Sequence, residues 1–234
     1  MRLSRSVRAR SDAAMEGRAR AVAAIAAAIV VAGGPASART VLCFGDSTSW
    51  RYPARLQARR PDLRVVNGAL PGDVSTSVPR LRMLLDRDRP DDVVVMIGTN
   101  DVVRRPDGRA VVTDDPAVTF RNVVRLARLA RRRGARVIVL TQTPASCVSC
   151  APRQTHTREV AHRLIAWSLR RPRGIDVADL RDEFTIHAWS TLSDDGLHPN
   201  AAGADLIAAF VADRLPERVY SEHTSTTATV RIAR

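Results

Sequence analysis

The chain has 234 residues, 45% hydrophobic and 26% charged, which describes a soluble globular protein with room for one well-buried core. Aromatic residues are only 4%, so that core must be built from Val, Leu, Ile and Ala. The net charge of +13 comes from arginine without any lysine, but the arginines are spread along the chain and no helix-turn-helix, zinc-finger or aromatic stacking signature accompanies them, so nucleic acid is not an expected partner. Loose attraction to anionic envelope polymers or lipid head groups is the expected consequence of the charge.

Residues 1–38 stand apart. Arg18 and Arg20 precede a small-apolar run from Ala21 to Ala32, followed by Gly33-Gly34-Pro35 and Ala36-Ser37-Ala38. This pattern predicts a secretory signal peptide with Arg39 as the first mature residue, and hence a secreted or extracytoplasmic protein. Met15 would start a signal of more ordinary length, and a retained N-terminal anchor is the alternative. Loss of residues 1–38 removes six arginines and two acids and lowers the charge to +9.

The mature chain alternates strands and helices. Residues 40–45 read as a buried first strand, followed by Asp46-Ser47 and a helix to about Arg60. Leu63 to Val66 is strand two, and Asn67 to Asp73 a loop. Val74 to Asp88 carries helical spacing. Val93 to Ile97 is a continuous apolar run, expected as a central strand covered on both faces. Gly98-Thr99-Asn100-Asp101 opens a polar loop to Asp115, then Pro116 to Arg133 is an amphipathic helix. Arg136 to Leu140 is strand four, Thr141 to Pro152 a loop, 154–170 a helix, and Ile175 to Val177 strand five. A turn at Asp194 to Asn200 leads to a last helix from Ala201 to Leu215, and 216–234 reads as a polar tail. The domain is therefore 39–215, an α/β fold with a parallel five-stranded sheet covered on both faces by right-handed crossovers. In a flavodoxin-like order 2-1-3-4-5, Ser47, Gly72 and Asn100 follow neighbouring strands and converge at one sheet edge.

Those residues have a chemistry in common. A serine nucleophile needs a base, and the base an orienting acceptor. Asp195 and His198 lie three apart in a turn closed by Pro199, a spacing that can set the carboxylate on Nδ1 while Nε2 faces Ser47. Asp194 is the competing carboxylate, which the spacing disfavours. The backbone N–H groups of Ser47 and Gly72 and the Asn100 amide are candidate oxyanion donors. Asp46 reads as a cap under the Ser47 loop, Asp101 as a positioner of Asn100, and Asp73 as a helix cap. His156 and His162 are expected at the surface. His187 and Trp189 are candidates for lining the acyl or leaving-group side, with local packing the alternative.

Cys147 and Cys150 form a lone C-x-x-C. No second pair or matching histidines follow, so a short local disulfide is expected rather than zinc, with a thioredoxin-like role poorly supported. Cys43 is expected as a buried free thiol.

Gly45-Asp46-Ser47, Gly72, Gly98-Thr99-Asn100-Asp101 and Asp195-Gly196-Leu197-His198-Pro199-Asn200 together resemble the four blocks of the SGNH (GDSL-type) hydrolase family of esterases and lipases. The resemblance covers about 41–203 and implies a three-layer α/β/α sandwich and ester hydrolysis without metal or cofactor through an acyl-serine. It implies Ser47 as nucleophile, His198 as base, Asp195 as its partner, and Gly72 and Asn100 as oxyanion donors. Thr48 departs from the family's leucine. No G-x-S-x-G elbow is present, which disfavours the α/β-hydrolases. The expected function is a monomeric secreted esterase or lipase acting on small-molecule, lipid or polysaccharide esters. Deacetylation of a polysaccharide or acyl transfer is the enzyme alternative, and a non-catalytic binding module the alternative of another class. Little room remains for a large lid, so short to medium acyl chains are expected.

Overall fold

A computed structural model describes residues 38–102, 113, 115–184 and 186–217. Residues 1–37 of the predicted signal segment 1–38, most of the loop before Asp115 and residues 218–234 of the predicted tail lie outside these. The chain divides at Ser37, and the unit from Ala38 onward carries every element below.

Five parallel strands form one sheet: β1 (Arg39–Gly45), β2 (Leu63–Ala69), β3 (Asp92–Met96), β4 (Arg136–Leu140) and β5 (Ile175–Ala178), in the order β2-β1-β3-β4-β5. The helices are α1 (Tyr52–Arg59), α2 (Val78–Asp88), α3 (Pro116–Arg132), α4 (Ala151–Ser168), α5 (Leu180–Glu183), α6 (Ile186–Leu192) and α7 (Ala201–Ala212). The strand period of two sorts the core into two layers. Val41, Cys43, Val94, Met96 and Ile138 face Leu56 of α1, Trp189 of α6 and Ile207 of α7. Leu42, Phe44, Val93, Val95 and Val137 face Leu81 of α2, Leu126 of α3 and Leu164 of α4. This is the three-layer α/β/α sandwich with the expected strand order.

Several boundaries differ from the sequence reading for local reasons. The helix after Ser47 is split: a 3-10 turn (Ser47–Ser49) comes first, and α1 starts only at Tyr52, with a proline in its first turn. Residues 74–77 are loop, because Ser75 is held by Asp101, and α2 starts at Val78 with Pro79 in its first turn. The helix expected over 154–170 starts at Ala151, after a 3-10 turn (Val148–Cys150), and the last helix ends at Ala212. The short helices α5 and α6 were not expected. Asp179 caps α5 by accepting from Arg181 N at 3.1 Å.

His156 is a correction: it is buried, not at the surface. Its Nε2 meets Thr119 Oγ1 at 2.9 Å between α4 and α3, while His162 is exposed. Cys43 is the free buried thiol, and burial pushes it up to about 12, which keeps it protonated and inert.

The sheet register brings three strand ends level. Gly45 lies opposite Ala69 on one side and Met96 on the other. Ser49 Oγ crosses over Gly45 to donate to Met96 O at 2.9 Å, and a Cβ on Gly45 would stand 2.2 Å from both atoms. The close approach admits only glycine. Gly45→Ala is expected to cost about 1–3 kcal/mol by overpacking, read as a lowered midpoint in denaturant unfolding. An unchanged midpoint would show that this contact does not fix the turn.

Candidate active site

The turn after β1 is built on a buried carboxylate. Asp46 Oδ1 accepts from Thr48 N (3.0 Å) and Thr48 Oγ1 (2.7 Å), and Oδ2 accepts from Thr99 N (3.3 Å). Burial pushes the Asp46 carboxyl up, and the Thr48 and Thr99 donors oppose that push. Asp46 thus joins the Ser47 turn to the Thr99-Asn100 turn. Thr48, the departure from the family pattern, is buried, and its Oγ1 supplies one of these donors, which a leucine could not.

Ser47 Oγ lies 3.0 Å from His198 Nε2, and His198 Nδ1 lies 2.6 Å from Asp195 Oδ2. The Asp195 Oδ1 atom accepts from His198 N (2.7 Å) and Leu197 N (2.9 Å), so one carboxylate both shapes the turn and meets the ring. Burial raises the Asp195 carboxyl, but the hydrogen bonds from the His198 ring and the two N–H groups outweigh it, and Asp195 titrates well below the usual carboxylate range. Asp194 points elsewhere and accepts from Asn200 Nδ2 at 3.0 Å.

Two loops carry the remaining groups. Gly72 sits at φ +78°, with open space where a Cβ would stand. Among the described residues neither the Ser47 nor the Gly72 N–H has a partner, and both remain available to an oxyanion. Asn100 Nδ2 donates to Asp73 O at 3.0 Å, which fixes the amide and leaves its second hydrogen. Asp101 is buried and accepts from Ser75 N (2.9 Å), Ser75 Oγ (2.5 Å) and Thr119 Oγ1 (2.5 Å). Since Thr119 donates to Asp101, its contact with His156 is an acceptance from Nε2–H. The chain His156-Thr119-Asp101-Ser75 therefore locks the Gly72 loop to the Asn100 turn.

Asp73 is not the helix cap expected. It accepts from Ser77 Oγ and forms an ion pair with Arg80. Arg80 was missed by the sequence reading. Its Nη1 donates to Gly68 O (2.5 Å), its Nη2 is shared between Asp73 and Gly45 O (3.2 Å), and its guanidinium lies 4.2 Å from the Phe44 ring centre. The seven-residue spacing from Asp73 was the available signal, but it crosses a loop-to-helix junction whose geometry sequence does not give.

The turn bearing His198 is buttressed from behind. Gly196 O accepts from Ser146 N at 2.7 Å and from Trp189 Nε1 at 3.3 Å. Trp189 is buried against Phe184, ring centres 5.1 Å apart, so it packs rather than lines the site; the His187 side chain lies outside the described residues. The Cα atoms of Cys147 and Cys150 lie 4.9 Å apart, close enough for a disulfide, next to Ser146. Gly196 has φ +73°, and a Cβ there would meet Cys147 N at 2.7 Å. Around the serine lies a cleft of about 220 Å³ lined by Ser47, Thr48, Pro71, Asp195, His198 and Pro199, with Trp50 and Arg51 at its lip; these last two were not singled out in the sequence.

Comparisons with known proteins bear on the family and the fold. Residues 30–206 match the model of the GDSL-like lipase/acylhydrolase family. An arylesterase of Vibrio mimicus is 26% identical over 188 residues, covering 75% of this chain and 87% of that protein. The crystal structure of a lipase/acylhydrolase from Enterococcus faecalis superposes with a TM-score of 0.59 at 23% identity, covering 75% of this chain and 94% of that one. A catalytic mutant of an acetylxylan esterase from Geobacillus stearothermophilus gives 0.60 at 17% identity, covering 75% and 93%. The chain belongs to the GDSL-like lipase/acylhydrolase family, the SGNH hydrolases, and is an ester-hydrolysing enzyme.

Proposed function

We propose that the protein is an exported serine esterase that cleaves carboxylic esters of short to medium acyl chains through an acyl-serine. The observation that carries this is the unbroken contact from Ser47 Oγ through His198 to Asp195. Ser47 Oγ attacks the ester carbonyl as His198 Nε2 takes its proton. The negative oxygen receives the Ser47 and Gly72 N–H groups and the Asn100 amide. Asp195, ionised well into the acid range, holds the ring and stabilises the imidazolium. The tetrahedral intermediate collapses as His198 returns the proton to the leaving alcohol. Water, deprotonated by the same nitrogen, then attacks the acyl-serine and releases the acid.

Ser47→Ala is expected to lower kcat by 10³-fold or more while the thermal unfolding midpoint holds. Asn100→Ala should lower kcat about 10²–10³-fold with little change in KM, the pattern of a donor used in the transition state. Undiminished turnover of p-nitrophenyl acetate by Ser47→Ala would overturn the mechanism.

Only an open cleft of about 220 Å³ lies beside Ser47 among the described residues, which supports the acyl preference. Of p-nitrophenyl acetate, butyrate and palmitate, the first two should give the higher kcat/KM. A clear palmitate preference would contradict this reading.

Export and a Cys147–Cys150 disulfide are proposed together, because the signal-like segment directs the chain to a compartment where disulfides persist. Intact mass of protein secreted by its host should match a chain beginning at Arg39 and lacking two thiol hydrogens. A retained N-terminus or two free thiols would refute the corresponding part.

A further inference from the structure

Resting on the serine esterase reading, we propose that Trp50 and Arg51 form a subsite for the alcohol part of the substrate, and that this alcohol is a sugar ring carrying a carboxylate. The cleft at Ser47 does not end at the triad. Trp50 and Arg51 line it and also line a second groove of about 410 Å³, completed by Ala54, Arg55, Asn67, Ala201 and Ala204. The groove runs along the start of α7, three residues after His198. His198 Nε2 must hand its proton to the leaving oxygen, so the leaving group lies on the His198 side, and the groove continues from there. The oxyanion donors Gly72 and Asn100 do not line it.

The lining has a definite chemistry. Trp50 is half exposed, one of few large apolar side chains at this surface. Its backbone is pinned on both sides: its N–H donates to Ser47 O at 3.3 Å, and its carbonyl accepts from Asn67 Nδ2 at 3.0 Å. A half-exposed indole on a pinned backbone beside a catalytic serine offers a flat platform whose face suits the C–H face of a pyranose ring. Three alanines leave the groove floor low. Arg51 is exposed and forms no ion pair among the described residues. Arg55 faces Asp205 at 3.6 Å, so of the two arginines that line the groove Arg51 is the one without an ion pair among the described residues. A guanidinium free on an open lip offers a carboxylate two parallel N–H donors.

The test separates binding from turnover. Calorimetric titration of the full-length Ser47→Ala chain with trigalacturonate and with neutral xylotriose should show at least tenfold tighter binding of the acidic trimer. Arg51→Gln in that background should remove the difference, and Trp50→Ala should weaken both ligands. Raised salt should narrow the gap. Equal or tighter binding of the neutral trimer, or a preference unaltered in Arg51→Gln, would overturn the proposal. In the wild-type chain, the ratio of kcat/KM on acetylated galacturonate oligomers to that on p-nitrophenyl acetate should fall about tenfold in Arg51→Gln. Loss of all p-nitrophenyl acetate turnover from the wild-type protein would instead refute the esterase reading, which the binding measurements do not depend on.

Discussion

The site depends on one buried carboxylate. Asp46 lies under the Ser47 turn and binds donors from two separate segments, Thr48 after β1 and Thr99 after β3. A buried carboxylate is costly unless its oxygens are satisfied. Here each donor that satisfies it also fixes a backbone turn that a nucleophile or an oxyanion donor requires. The cost of burial and the precision of the site are therefore the same interaction seen from two directions.

Around that point the sheet supplies coarse placement and polar clamps supply the fine. Parallel pairing of β1 with β2 and β3 ends three strands at one level, and the Gly45 approach lets Ser49 seal the turn against β3. Arg80 ties the ends of β1 and β2 to the Gly72 loop, and Asp101 ties that loop to Asn100. On the far side Ser146 and Trp189 both hold Gly196 O, so the Asp195–His198 turn is supported by packing from outside the triad. Each clamp joins elements distant in sequence, which suits a mechanism that needs the charge-stabilising groups in place before the oxyanion forms.

Much of this was legible because local pattern and fold agree. The apolar runs of β1, β3 and β4 announce buried strands, and alternation with helices gives the parallel sheet. Ser47, Gly72 and Asn100 then follow strand ends, and the three-residue spacing of Asp195 and His198 in the turn before α7 allowed that pair to be named as well. What escaped depends on tertiary contact. His156 sits on a helix too arginine-rich to look buried, yet its ring closes a polar chain with Thr119. Asp73 resembles a cap but is drawn to Arg80, an arginine indistinguishable in sequence from the many on the surface. Trp50 and Arg51 sit in the break between a 3-10 turn and α1, where a continuous helix was expected, so their position beside the serine was hidden.

We propose that Ser47 is an activated nucleophile in the resting protein. The most direct test of this is intact-protein mass after treatment with a serine-directed fluorophosphonate, followed by peptide mapping. A single adduct on Ser47, absent from Ser47→Ala, is the expected result. A folded protein that takes no adduct, or takes it at another serine, would contradict it.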